Sequence, residues 1–130
     1  MALARIRGAR HSVLLPVSAP FHCALMQPAA DAMATALASA DLRAPFVPLV
    51  ANVTAAPVAD PDAIRDLLVR QVTGTVRWRE SVLAMAELGV TGFVELGGKV
   101  LGPMVRRITP DATMQSAADM AGIEALVKDL

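Results

Sequence analysis

Leu14-Leu15-Pro16-Val17-Ser18-Ala19-Pro20-Phe21-His22-Cys23-Ala24-Leu25-Met26 is the stretch on which the reading of the fold turns. With Val13, its apolar residues Leu14, Leu15 and Val17 suit a buried strand over residues 11–18. Pro16 demotes that strand to an edge or an irregular one, and Pro20 holds Ala19 extended. A helical pattern opens at Leu25 and runs to about residue 40, with Ala29, Ala32, Met33, Ala36 and Leu37 at spacings of three and four. His22 therefore stands at a strand-to-helix corner, from where it can reach a pocket closed to either regular element.

Outward from this corner the chain alternates. Before it, residues 2–7 read as the end of a helix stopped by Gly8. After it, residues 44–53 read as a strand whose Pro45 and Pro48 suit an edge, and residues 54–61 as a loop. Asp60-Pro61 has the form of an N-cap followed by proline at the first helical position. The helix that follows runs to about residue 72, with Ile64, Leu67, Leu68 and Gln71 along one side, and Thr73-Gly74-Thr75 breaks it. Residues 76–88 read as a third helix closed by Gly89, and residues 90–96 as a short buried strand. A helix over 99–108, an extended piece over 112–115 and a helix over 118–128 complete the order, with 109–118 the most mobile segment. Strands alternating with helices predict an α/β fold with a largely parallel sheet.

Bulk properties narrow the function. The 130 residues suit one domain. Lys plus Arg equals Asp plus Glu, 12 against 12, and the basic residues do not cluster with aromatics, so neither a nucleic-acid nor a membrane partner is indicated. Cys23 is the only cysteine, which rules out an intrachain disulfide and suits a reducing cytoplasm. No apolar run approaches the roughly 20 residues of a membrane helix, and the apolar region after Met1 is short for a signal peptide. No His, Asp and Glu cluster has metal spacing, so no metal or cofactor is expected.

Histidine is the natural general base near neutral pH, which makes His22 the first candidate, although most lone corner histidines are surface or capping groups. Cys23 is too close in sequence to face it and reads as a small buried residue. Ser18 and Ser81 lack the strained G-x-S-x-G turn that exposes a nucleophilic serine, and that motif is absent from the chain. Gly97-Gly98-Lys99 follows a strand and opens a helix, so it reads either as a tight turn or as an anion cradle.

Taken together, these segments resemble one family. Leu15 to Met26 followed by Pro28-Ala29 is similar to the histidine segment of bacterial malonyl-CoA:acyl-carrier-protein transacylases. Val47-Pro48 with Asn52-Val53, the run Asp62 to Gln71, Val76-Arg77-Trp78 with Ser81-Val82, and Glu95-Leu96-Gly97-Gly98-Lys99-Val100-Leu101 continue the resemblance. The last of these is one residue shorter than the family's E-x-G-P-G-K-V-L turn.

The resemblance implies a fold and a chemistry. The chain would be the C-terminal part of a hydrolase-like parallel-sheet core, residues 18–130. The last strand of a ferredoxin-like subdomain would precede it in residues 1–17. His22 would be the base that activates the family's serine. Gln71 would orient it through its backbone carbonyl, and Phe21 would narrow the acyl pocket. The activity implied is malonyl transfer from coenzyme A to acyl-carrier protein in fatty-acid biosynthesis. The serine elbow G-H-S-L-G, the carboxylate-binding arginine and the oxyanion loop of the family are not in these 130 residues. The chain alone is therefore expected to be inactive and to need the missing N-terminal portion, since members of a triad act as a unit. Two other readings stand beside this one: a non-enzymatic remnant or complementing fragment, and a part of a polyketide synthase acyltransferase domain.

Overall fold

The computed structural model describes residues 1–14, 16, 17 and 19–128. Its elements in order are α1 (Ala2–Ile6), a single 3-10 turn (Ala24–Met26), α2 (Gln27–Ala38), β1 (Leu49–Ala51), β2 (Ala56–Val58) and α3 (Pro61–Thr73). They continue as α4 (Trp78–Glu87), β3 (Gly92–Leu96), α5 (Leu101–Ile108), β4 (Thr113–Ala117) and α6 (Met120–Lys128). The α/β class read from the sequence is the class observed. β3 and β4 pair in parallel, with Gly92 opposite Thr113 and Leu96 opposite Ala117, and α5 is the crossover that a parallel pair requires.

Four readings are corrected. Residues 11–14, 16 and 17 join no strand among the described residues, and Val13, Leu14 and Val17 are exposed rather than buried. A strand holds only with a ladder partner, and Pro16 removes one of the donors that a ladder would use; Leu15 and Ser18 of that expected strand lie outside the described residues. The strand expected over 44–53 shrinks to Leu49–Ala51, because Pro45 and Pro48 interrupt everything before it. Its partner is β2, inside the expected loop: Leu49 pairs with Val58 and Ala51 with Ala56 in an antiparallel hairpin. The segment 109–118 is not loose throughout, since β4 occupies half of it.

Local signals explain the rest. Asp60 Oδ1 accepts a 2.7 Å hydrogen bond from Ala63 N, so α3 starts where the Asp-Pro pair placed it. Asp119 does the same for α6, accepting from Gly122 N at 2.8 Å. α2 packs on α3, and Arg65 of α3 fastens the connection after α2 by donating from Nη2 to Ala40 O at 3.1 Å. Among the described residues the buried apolar ones are few and, apart from Ile64, alanines and valines: Ala30, Ala51, Ile64, Val82, Val105 and Ala117.

So small a core leaves much surface outside it. The chain exposes 9664 Å². A folded monomer of its 13.6 kDa ordinarily exposes about 6,600 Å². The excess, about 3,000 Å² on this chain alone, is larger than the roughly 1,000–2,500 Å² that each partner commonly gives to a large obligate interface. No helix among the described residues is long and apolar enough to cross a membrane.

Candidate active site

The corner that opened the sequence reading is built by the 3-10 turn and α3. His22 has φ 57°, in the left-handed region that costs a non-glycine residue roughly 1–2 kcal/mol. This backbone twist aims the ring across 49 positions of sequence, where Nδ1 lies 3.1 Å from the main-chain oxygen of Gln71. Gln71 sits in the last turn of α3, where carbonyls have no partner within the helix. A carbonyl only accepts, so Nδ1 must carry the proton, and Nε2 of the neutral ring is left with its lone pair.

Phe21 precedes His22 in the chain and is exposed. Cys23 is half-buried, and its Sγ lies 3.0 Å from Pro20 O, a contact that folds the 20–23 corner and does not engage His22. A groove of about 180 Å³ runs between β1 and α3, lined by Leu49, Ala51, Asn52, Ile64, Leu67 and Gln71. Asn52 and Gln71 are its polar lining residues. Ser81 is buried, with its hydroxyl donating to Arg77 O at 2.9 Å, as a helical serine often does.

The anion cradle considered for Gly97-Gly98-Lys99 is already filled from within the chain. Glu95, 7% exposed, accepts from Val100 N at 2.8 Å and Leu101 N at 3.0 Å through Oε1, and from Gly102 N at 2.9 Å through Oε2. The N–H of Leu101 is the largest cause holding this carboxyl below the ordinary value of 4.5; burial opposes it, and the N–H groups of Gly102 and Val100 add to it. A second anion there would meet the Glu95 carboxylate, which already takes the N–H groups of Val100, Leu101 and Gly102. Sequence reasoning gave Glu95 no role, although an acid just before a glycine turn and a helix start was a usable sign of a cap. Among the described residues no group of three or more His, Cys, Asp or Glu is gathered as a metal site.

The fold is that of part of an α/β acyltransferase. No family model matches the chain. It is 42% identical over 128 residues to the malonyl CoA-acyl carrier protein transacylase of Escherichia coli strain K12, covering 98% of this chain and 41% of that protein. The crystal structure of acyl-carrier-protein-S-malonyltransferase from Bartonella henselae superposes with a TM-score of 0.86 at 49% identity, over 98% of this chain and 41% of the other. A malonyl-transacylase solved in complex with its type II polyketide acyl-carrier protein gives 0.85 at 35% identity, over 99% of this chain and 42% of the other. The resemblance to malonyl-CoA:acyl-carrier-protein transacylases thus extends along nearly the whole chain, which spans about two fifths of the length of these relatives.

Proposed function

We propose that this chain contributes the histidine base to the transfer of malonyl from coenzyme A to acyl-carrier protein, with the nucleophilic serine supplied by the remaining part of the enzyme. The single observation that carries this is the His22–Gln71 contact, which fixes one ring nitrogen and frees the other. In the first half-reaction, Nε2 takes the serine proton as the serine oxygen bonds to the thioester carbonyl carbon. The carbon–sulfur bond then breaks, and the imidazolium returns its proton to the departing coenzyme A thiolate. In the second half, Nε2 takes the proton of the carrier thiol, whose sulfur attacks the malonyl-serine ester, and the serine oxygen leaves with that proton. General-base action of this kind contributes typically about 10²–10⁴-fold. Phe21 would form one wall of the acyl pocket.

The chain alone is inactive in this reading, and residues 1–17 and 18–130 belong to the smaller and larger subdomains of the whole enzyme. The setting is fatty-acid biosynthesis in the cytoplasm. The surplus of exposed surface supports a covering partner, and the carrier-protein complex among the similar structures supports the acceptor. That same complex, with a polyketide carrier, favours the polyketide setting as the second reading.

The test mixes this chain with a separately expressed N-terminal portion bearing the serine elbow and follows malonyl transfer. Transfer by the mixture, and by neither piece alone, is the expected result. Two folded, associated pieces without transfer would leave the remnant reading standing.

A further inference from the structure

The geometry points to Gly74 as a positioning residue that acts on His22 through the Gln71 carbonyl. This inference rests on the reading of His22 as the base and goes beyond it, since it asks what holds the carbonyl in place.

Gly74 N donates to Arg70 O at 3.0 Å, which closes the last helical hydrogen bond of α3. The chain then leaves the helix, with Gly74 at φ −85° and ψ 156°. Among the described residues no main-chain N–H returns to Gln71 O, so that carbonyl stays free for the imidazole. Any L-residue adopts those angles, so backbone freedom does not explain the glycine. Space does. A Cβ at this position would lie 2.9 Å from Val53 Cγ2 and 3.0 Å from Arg70 O.

Neither neighbour yields readily. Val53 is β-branched and stiff at χ1, and it leads into the turn of the β1–β2 hairpin. Arg70 O belongs to the backbone of the α3 turn that also carries Gln71. The junction cannot simply retreat, because Arg77 Nη1 donates to Thr54 O at 3.0 Å and pins the α3–α4 connection to the same hairpin turn. A side chain at 74 therefore pushes on both the Val53 side chain and the last turn of α3, and the turn gives by a few tenths of an ångström. The His22 contact, at 3.1 Å, is already near the long end of the range for an N–H···O bond, so a shift of a few tenths of an ångström away from the ring weakens it.

The test is a long-range proton–nitrogen spectrum of the chain labelled at histidine. There are only two histidines, and His11, whose Nδ1 contacts the adjacent Arg10 O, serves as the internal reference. The parent chain is expected to show His22 protonated at Nδ1 in its neutral form. In Gly74→Ala the ratio of Nδ1–H to Nε2–H is expected to fall about fivefold or more, as for loss of one net hydrogen bond, with His11 unchanged. Adding Val53→Ala to Gly74→Ala should recover part of the ratio. A purely structural role would lower the unfolding midpoint and leave the ratio of the folded molecules alone. An unchanged ratio in folded Gly74→Ala overturns the proposal, as does a parent chain protonated at Nε2. If Gly74→Ala does not fold, the double variant is read against Val53→Ala, and equal ratios overturn it. Failure of malonyl transfer in the mixing assay would strike the function and leave this result intact.

Discussion

Two helix ends in this molecule are closed by a side chain from elsewhere in the sequence, and they are closed differently. At the start of α5, Glu95 gives both carboxylate oxygens to three main-chain N–H groups and is left buried. At the end of α3, His22 engages one carbonyl through one nitrogen and stays exposed. Each group suits its terminus: an anion accepts from the unpaired N–H groups at the start of a helix, and a ring N–H donates to an unpaired carbonyl at the end of one. The first end is satisfied and can do nothing further. The second keeps a lone pair on Nε2, at the cost of a left-handed residue, and that leftover valence is what a proton transfer uses. A saturated contact stabilises a fold; a half-used one can serve chemistry.

The contrast can be broken at the Glu95 end with the largest effect on stability. Because three N–H groups hold its carboxyl below 4.5, the stabilisation from Glu95 is complete above that pH and is lost as pH falls through the lowered folded value. Glu95→Gln should lower the thermal midpoint at pH 7 and flatten the acid limb of stability below about 4.5, read by melting across pH. A parallel pair of melting profiles would mean that the charge does not act as described. Gly102→Ala sharpens the same point. Its Cβ would sit 3.1 Å from Met114 Cγ and 3.5 Å from Glu95 Oε2. Overpacking of this kind costs typically about 1–3 kcal/mol, measurable by denaturant unfolding. The smallest effect is expected from Asp60→Ala, which removes one exposed cap and costs about 1 kcal/mol, without altering the His22 ring spectrum.

How much of this was legible follows from what carries each feature. α3 could be placed because Asp60 and Pro61 mark its start in side-chain chemistry, and its Ile64, Leu67, Leu68 and Gln71 side does line the groove. The β1–β2 hairpin could not. Its turn places Ala55 at φ 54°, where a sequence reader looks for Gly or Asn. The strand expected over 11–18 failed for the opposite reason, since its apolar pattern was right for burial but no partner strand meets it among the described residues. His22 stood out at its corner, whereas Gln71 acts through its main chain and left no mark of its own, so only the resemblance pointed to it. Glu95 went unread because its partners are backbone N–H groups that exist only once α5 has formed.

The most direct measurement is the rate of malonyl transfer by the chain joined with its N-terminal portion, comparing His22→Ala with Glu95→Gln at pH 7 and at saturating association. A drop of about 10²–10⁴-fold for His22→Ala, with Glu95→Gln close to the parent rate, is the result predicted. Transfer undiminished in His22→Ala would contradict the account at its centre.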